Sequence, residues 1–260
     1  MQTQLQKYFA QRVKNLFNHL HDFDVNGDDV SMHDLRVELK KLRSVIKFLR
    51  QVYPKQKLKR ASHLLRAIFQ SAGEIREYQI LTQWLEKHEC HVISMHYFPD
   101  ERLTKMVEDF RGRSEEWKND LKDIFEQAGK FVVITNEILA EQYFTDLNAQ
   151  LHEMTNKDLP VSEWHEMRKL IKQWMFASNW ITPEERAEKE AAFSYYNKLQ
   201  EQIGQWHDIE MIKEAFSQKQ IYLSQNIEIQ KDFNHAWEKL NNATKYREKQ
   251  IEEMLAKQAA

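Results

Sequence analysis

The chain has 260 residues, with only 5 glycines and 4 prolines, and a formal net charge of −2 at pH 7. Such a composition is typical of helical proteins, and the length suits one large domain or two smaller ones. No apolar run approaches the roughly 20 residues of a membrane span, and the N-terminus lacks a signal-like apolar core. Cys90 is the single cysteine, which excludes an internal disulfide. We therefore expect a cytoplasmic, all-α protein without a membrane partner.

Turn signals and proline positions divide the chain into helices, and no segment alternates as a strand. In the first half the predicted helices are Gln2–His21, a second from an N-cap at Ser31 to Tyr53–Pro54, a third to Ser71 that bends at Gly73, a fourth toward His91, and a charged helix after Pro99 that reaches about Gln127. In the second half, predicted to begin after Gly129, they are Phe131–Thr155, Ser162–Trp180, Pro183–Ile203, Trp206–Gln218 and Asn226–Lys257.

The second predicted helix carries two parallel stripes that are offset by one residue. An apolar stripe consists of Met32, Leu35, Leu39, Leu42, Ile46 and Leu49. A cationic column consists of His33, Arg36, Lys40, Arg43, Lys47 and Arg50. Residues three and four apart share a helix face, so the column runs beside the core-facing seam. A solvated helix face normally mixes Glu with Lys, and this column contains no acid, which indicates a polyanionic partner.

The positive charge of the chain is concentrated in one segment, although the net charge is small. Residues 33–66 contain 11 Lys or Arg and 2 acids, or +9, so the remaining 226 residues carry −11. A basic patch on an otherwise acidic chain is a local electrostatic footprint. A general nucleic-acid coat would make the whole domain basic.

Two landmarks recur along the chain with nearly the same offset. The order His33-x-x-Arg36-x-x-x-Lys40 returns 132 residues later as His165-x-x-Arg168-x-x-x-Lys172. The order Gly73-x-x-Arg76-Glu77 returns 131 residues later as Gly204-x-x-His207-Asp208. The shared offset indicates an internal duplication with a period of about 132 residues. We predict two pseudo-twofold-related bundles of four to five helices, at residues 1–128 and 129–260.

The residue types in the repeated motif suit phosphate. Arginine offers a planar fork for phosphate oxygens, and lysine offers a mobile point charge. His33 and His165 are predicted in the first turn of their helices, where free backbone N–H groups favour anions. The charge extends over nearly five turns, so a chain of phosphates fits better than a single carboxylate. Glu77 and Asp208 could orient neighbouring Arg or His side chains by pairing.

These motifs resemble the CHAD domain family, the conserved histidine α-helical domain, over about residues 5–250. The resemblance rests on His33-x-x-Arg36-Val37-x-x-Lys40-Lys41-x-Arg43, on its second copy, and on the two glycine-containing elements. It implies two pseudo-symmetric helical bundles around a basic groove or pore. It also implies binding of inorganic polyphosphate and an association with polyphosphate granules, with no cofactor.

The second copy departs from the family pattern. Met175 and Asn179 end its column, His207 replaces an arginine, and Glu77 in the first copy replaces the expected aspartate. We therefore predict an asymmetric polyphosphate site that is dominated by the first repeat. The predicted binding residues are His33, Arg36, Lys40, Lys41, Arg43, Lys47, Arg50, Lys59, Arg60, Arg66, Arg76, His165, Arg168, Lys169, Lys172 and His207.

Three non-catalytic alternatives remain. RNA or another polyanion could occupy a basic groove, although nucleic-acid binders usually add aromatic stacking platforms and Phe48 lies off the column. A histidine phosphotransfer module would need His33 alone as an exposed acceptor. A metal site could draw on the four residues His88, Cys90, His91 and His96, which lack a regular zinc spacing.

Catalysis has little support in the sequence. We find no glycine-rich phosphate loop, no acidic metal pair and no nucleophile elbow. We therefore expect a binding protein rather than an enzyme.

Overall fold

The computed structural model describes residues 2–155, 157 and 159–259, and all regular structure within them is helical. The α-helices there are α1 (Gln4–Asn26), α2 (Asp29–Val52), α3 (Gln56–Lys87), α4 (His91–Tyr97), α5 (Asp100–Gly112), α6 (Ser114–Ile134), α7 (Glu137–Thr155), α8 (Trp164–Ala177), α9 (Pro183–Ala187), α10 (Glu190–Gln218) and α11 (Ile227–Ala259). Single 3-10 turns occupy Val161–Glu163 and Ile221–Leu223. The predicted all-α class is confirmed. Within these residues, no helix combines the length and apolar character of a membrane span.

The start of α2 differs from the prediction. Asp28, not Ser31, is the N-cap, and its carboxylate accepts a hydrogen bond from the Ser31 backbone N–H at 2.7 Å. Gly27 precedes it with a φ of 68°, a left-handed conformation that ends α1 without a side-chain clash. Consequently, His33 lies in the second turn of α2 and away from the free N–H groups. His165 is the second residue of α8 and does lie in a first turn.

Both long helices of the glycine-containing elements are uninterrupted. The helix α3 continues through Gly73, where the sequence predicted a bend, and α10 continues through Gly204, where it predicted a new helix. The helix α6 runs through the predicted division between residues 128 and 129. The two repeats are therefore not separated by a loop at that position, and the pseudo-twofold duplication stays a prediction.

The apolar stripe of α2 is the centre of the larger core. Its six side chains are each at most 1% exposed, and α2 packs mainly against α1 and α3 with a further contact to α8. Burying each such side chain contributes roughly 1.5–3 kcal/mol. The stripe therefore fixes the rotation of α2 about its axis and turns the adjacent cationic column toward α3 and α8.

Buried apolar residues form two clusters that draw on both halves of the chain. In α3, residues from Leu58 to Ile75 belong to the larger cluster and residues from Tyr78 to Leu85 to the smaller one. In α10, the change falls between Ile203 and Ile209. Both changes coincide with the glycine-containing elements. The polar residues of these elements therefore lie at the boundary between the two clusters, which we call the waist.

A buried carboxylate joins α1 to α2 on the side of α2 away from the column. Glu38 is 3% exposed and lies 3.1 Å from the Arg12 guanidinium and 2.7 Å from the Lys41 ammonium. Lys41 was predicted to bind phosphate, and the structure turns it instead toward this acid. Lys41 follows Lys40 by one residue, and successive side chains of an α-helix are rotated by about 100° around its axis. Lys41 therefore points away from the column.

We expect Glu38→Ala to lower the free energy of unfolding by about 2 to 3 kcal/mol, because it leaves two cations without their acid. The loss stays below that of a completely buried pair, since Arg12 and Lys41 retain part of their hydration. Urea denaturation measures the change. Glu116→Ala, at an exposed position of α6, is the matched control and should change stability by less than about 0.5 kcal/mol. Equal effects of the two substitutions would contradict a structural role for Glu38.

Candidate functional site

A pocket of about 520 Å³ lies between α2, α3 and α8. We call it the cationic pocket, because eight Lys or Arg side chains and one histidine line it. Its lining residues are Lys40, Arg43, Ser44, Lys47, Arg50, Ser62, Arg66, Phe69, His165, Arg168, Lys169, Lys172, Gln173 and Phe176. The described lining contains no acid. The pocket thus brings Lys40 of the first motif copy together with His165, Arg168 and Lys172 of the second copy.

The two columns face each other across this pocket. The charges of Lys172 and Arg168 both act on Lys40, and those of Glu166 and Lys169 act on Lys47. Glu166 lies outside the lining and pairs with Lys169 at 2.7 Å. The Lys47 ammonium donates a hydrogen bond to the side-chain carbonyl of Gln173, whose amide group donates to the Tyr143 hydroxyl. Neutral partners such as this amide position a lysine without cancelling its charge.

The arginine of each motif copy is anchored in the same way. The Arg36 guanidinium donates to the backbone carbonyl of Phe69 at 3.2 Å, four residues before Gly73. The Arg168 guanidinium donates to the carbonyl of Gln200 at 3.2 Å, four residues before Gly204. The two anchors hold the paired helices α2 and α3, and α8 and α10, in matching registers.

The glycine of each downstream element makes room for this arginine. A Cβ atom at Gly73 would lie 2.9 Å from an Arg36 nitrogen, and one at Gly204 would lie 2.9 Å from an Arg168 nitrogen. Real Cβ contacts do not come this close, so a side chain at either position would displace the guanidinium. The requirement at these positions is space beside the helix, since α3 and α10 continue through both glycines.

The polar residues of the two downstream elements meet at the waist. Asp208 is largely buried, which raises its pKa, while the charges of Arg168, His207 and Arg76 oppose the rise. Glu77 acts in turn on Arg36 of its own repeat and on His207 of the other. Neither acid has a cation within 4.0 Å among the described residues, so they act here as nearby charges rather than as direct ion-pair partners.

The three histidines of the motifs are weaker bases than a free imidazole. Burial lowers the pKa of His33, His165 and His207 below the ordinary value, and neighbouring cations add to the effect at His33 and His165. The rings of His165 and His207 lie 4.6 Å apart between centroids and are tilted by 39°. His165 Nδ1 is buried without a hydrogen-bond partner among the described residues. Acidification would therefore add positive charge at His33 in the first repeat and at His165 and His207 in the second.

Two lysines of the pocket are only weakly basic. Burial lowers the pKa of Lys40 to about 7, with further lowering from Arg36, Lys172 and Arg168. Burial and Arg168 lower the pKa of Lys172 to about 8. Burial also lowers the pKa of Arg36, to about 10, so this arginine stays charged. Holding these buried cations next to one another costs free energy, which a bound anion would relieve.

Nine of the sixteen predicted binding residues line the cationic pocket. They are Lys40, Arg43, Lys47, Arg50, Arg66, His165, Arg168, Lys169 and Lys172. Four more lie outside the lining, toward or at the waist, namely His33, Arg36, Arg76 and His207. Three lie elsewhere: Lys41 pairs with Glu38, Arg60 lies 3.7 Å from Asp123, and Lys59 is exposed on α3 outside the lining.

Sequence reasoning missed the uncharged side chains of the pocket. Phe69 and Phe176 line it, although the sequence analysis found no aromatic residue on the column. Phe69 reaches the column from α3, and its position four residues before Gly73 was the available signal. Phe48, the aromatic residue considered from the sequence, is 1% exposed and belongs to the core.

A larger cavity, of about 760 Å³, lies between α1, α9 and α10. Its lining includes two cations, Lys7 and Arg186, and one acid, Glu190. It therefore lacks the charge concentration of the cationic pocket, and it contains no residue of the repeated motifs.

The residues around Cys90 are held by local contacts. Burial raises the pKa of the Cys90 thiol to about 11. The His88 ring packs on Trp84, and His96 Nδ1 lies 2.9 Å from the Val92 carbonyl oxygen. Within residues 2–155, 157 and 159–259, no three His, Cys, Asp or Glu side chains converge as metal ligands.

The fold and the pocket define an all-helical protein that collects the cations of two motif copies around one space. The family model described as CHAD domain matches residues 7–217, and the chain belongs to this family. A similar solved structure is the crystal structure of the CHAD domain from the plant Ricinus communis, with a TM-score of 0.66 and 14% identity over 97% of this chain and 90% of that chain. At this identity the likeness establishes the fold alone. No curated protein matches the chain.

Glycine-to-alanine substitutions in helix interiors should change stability differently, depending on whether a guanidinium lies beside the glycine. Gly129→Ala in α6 meets only Phe9 at 3.9 Å, so it should stabilise the protein by up to about 1 kcal/mol through helix propensity. Gly73→Ala and Gly204→Ala should fall short of this gain, because each displaces a hydrogen-bonded arginine. Denaturant unfolding compares the three variants. Equal stabilisation at all three positions would contradict the proposed role of the two glycines.

Proposed function

We propose that this protein binds inorganic polyphosphate in the cationic pocket without transforming it chemically. One observation carries the proposal: eight Lys and Arg side chains from three helices converge on one space whose described lining contains no acid. Such an array is unfavourable when empty, since the charges repel one another and are partly dehydrated. A polyanion that contacts several of them at once supplies the missing counter-charge.

The distribution of the cations favours an extended anion. The lining runs along α2 from Lys40 to Arg50, about 15 Å at the rise of an α-helix. Arginine and lysine alternate along this line, so bidentate and single contacts to successive phosphates are both available. Five of the eight cations belong to the first predicted repeat, in keeping with an asymmetric site. The family resemblance makes polyphosphate granules a further proposed partner.

RNA is the competing polyanion and provides a test of specificity. Its single strands are usually held by bases stacked on free aromatic faces. In the cationic pocket, the centroid of the Phe69 ring already lies 4.5 Å from two guanidinium carbons, and Phe176 is the one other aromatic side chain of the described lining. A single free ring is less than the platform on which two or three RNA bases usually stack. We therefore expect polyphosphate to bind more tightly than RNA at equal phosphate concentration.

Removal of the two dehydrated lysines should separate binding from stability. We expect Lys40→Ala/Lys172→Ala to weaken long-chain polyphosphate binding by about tenfold to a hundredfold, because each loses a charge-assisted contact. The same change should not lower the free energy of unfolding, since it removes the two repelling charges. Isothermal titration calorimetry at two salt concentrations measures the affinity, and RNA is added as competitor.

The matched control, Lys105→Ala/Lys122→Ala, removes two exposed lysines away from the pocket and gives the same net charge. It should leave the affinity within about threefold of the wild type, a difference attributable to long-range charge alone. Equal weakening in both double variants would mean that net charge, not the pocket, governs binding. A folded wild-type protein that does not bind polyphosphate would refute the proposed function.

Binding should also be coupled to proton uptake. A bound polyanion raises the pKa of Lys40 and Lys172 above their values of about 7 and about 8 in the empty pocket. Protons are therefore taken up on binding at pH values between the free and bound pKa, and the affinity falls as pH rises from about 7 to about 9. Calorimetry at pH 8 in buffers of different ionisation enthalpy measures the uptake.

The control for this coupling is Lys40→Arg/Lys172→Arg, because arginine keeps its charge over the whole pH range. We expect its affinity to vary less with pH between 7 and 9 than that of the wild type. A binding enthalpy that is independent of the buffer in the wild type would contradict the coupling.

A further inference from the structure

One aromatic ring contacts half of the cationic column. The guanidinium carbons of Arg36 and Arg43 each lie 4.5 Å from the centroid of the Phe69 ring, and the Lys40 ammonium lies 5.8 Å from it. These distances are within the range of favourable cation–π interaction. Arg36 is held twice by this residue, since it also bonds the Phe69 backbone carbonyl. Three like charges on successive turns of α2 thus share a single partner on α3.

The second motif copy lacks this partner. The residue that offers its carbonyl to Arg168 is Gln200, whose side-chain amide donates to Asn197 at 3.1 Å. Arg168 is thus anchored at the backbone with no aromatic ring at the corresponding position. The other aromatic side chain of the pocket, Phe176, has no cation over its ring within the described chain.

An aromatic ring suits this position better than an acid would. An acid could also hold three cations together, but its negative charge would cancel part of the field that attracts an anion. The ring stabilises the cations through its quadrupole and carries no net charge. It also fixes long side chains that otherwise lose conformational freedom on binding, which is a main cost of association.

We propose that Phe69 is a positioning residue for anion binding, whose ring holds Lys40 and Arg43 toward the pocket with Arg36 behind them. This inference rests on the proposed function of the pocket. It makes the first repeat the preorganised half of the site, to which successive phosphates of the ligand bind. The second repeat completes the site with Arg168, Lys169 and Lys172, which have no aromatic ring beneath them among the described residues.

Three single variants test the role of the ring. Phe69→Leu keeps an apolar side chain without a π face, Phe69→Tyr keeps the ring, and Phe233→Leu removes a half-buried phenylalanine of α11 that lies outside the pocket. We expect Phe69→Leu to weaken long-chain polyphosphate binding by about tenfold, and the other two to remain within about threefold of the wild type. Circular dichroism and thermal unfolding confirm that each variant is folded.

A second measurement needs no ligand. The side-chain N–H signals of Arg36 and Arg43 in NMR spectra of the free protein report whether these groups are held against a ring. In Phe69→Leu the relaxation of these signals should show greater side-chain mobility, whereas in Phe69→Tyr it should stay close to the wild type. The loss of the ring current shifts the signals in any case, but the mobility would not rise if Phe69 merely filled space in the core.

The outcomes distinguish the two proposals. Wild-type affinity in folded Phe69→Leu, or equal weakening in Phe69→Tyr and Phe69→Leu, would overturn the positioning role while polyphosphate binding stands. If the wild-type protein does not bind polyphosphate, the proposed function fails, and the arginine signals alone decide whether Phe69 organises the cations. Unchanged arginine side-chain mobility in Phe69→Leu would overturn the positioning role in that case as well.

Discussion

Mutual repulsion among partly dehydrated cations is the constraint around which the centre of this protein is built. Eight Lys and Arg side chains share one pocket, and the lowered pKa of Lys40 and Lys172 is the direct result of their burial beside one another. The array persists because α2 is fixed from its opposite side. Its apolar stripe is fully buried, and Glu38 ties it to α1 through Arg12. The core therefore supplies the free energy that holds the charges together.

Several of these cations have uncharged partners, whereas Lys169 pairs with Glu166 at 2.7 Å. Arg36 and Arg168 are anchored by backbone carbonyls, Lys47 by the Gln173 amide, and Arg43 by the Phe69 ring. Each contact fixes the direction of a cation while leaving its charge available. The acids of the downstream elements lie further back at the waist, where Asp208 and Glu77 moderate the field from behind. One group of residues thus fixes where the cations lie, and another group, the acids, adjusts the electrostatic field around them.

The sequence was sufficient to predict the class of fold, the buried stripe of α2 and nine residues of the pocket, because helical periodicity specifies which side chains share a face. It failed where the outcome depends on a neighbouring helix. Gly73 was interpreted as a bend, but its missing Cβ makes space for a guanidinium from α2. Phe69 was overlooked because its partners are on another element. Lys41 was predicted to flank the column, and its position beside buried Glu38 depends on the packing of α2 against α1. His33 was placed too close to a helix start because Ser31 was taken for the cap that Asp28 provides.

The weak basicity of Lys40 has a chemical consequence of its own. An amine attacks electrophiles only in its unprotonated form, and ordinary lysines are almost wholly protonated at neutral pH. Burial lowers the pKa of Lys40 to about 7, so it has more of the unprotonated, nucleophilic form than an ordinary lysine, in a pocket whose remaining charges attract anions. Occupation of the pocket by a polyanion would return the proton to Lys40 and suppress this reactivity.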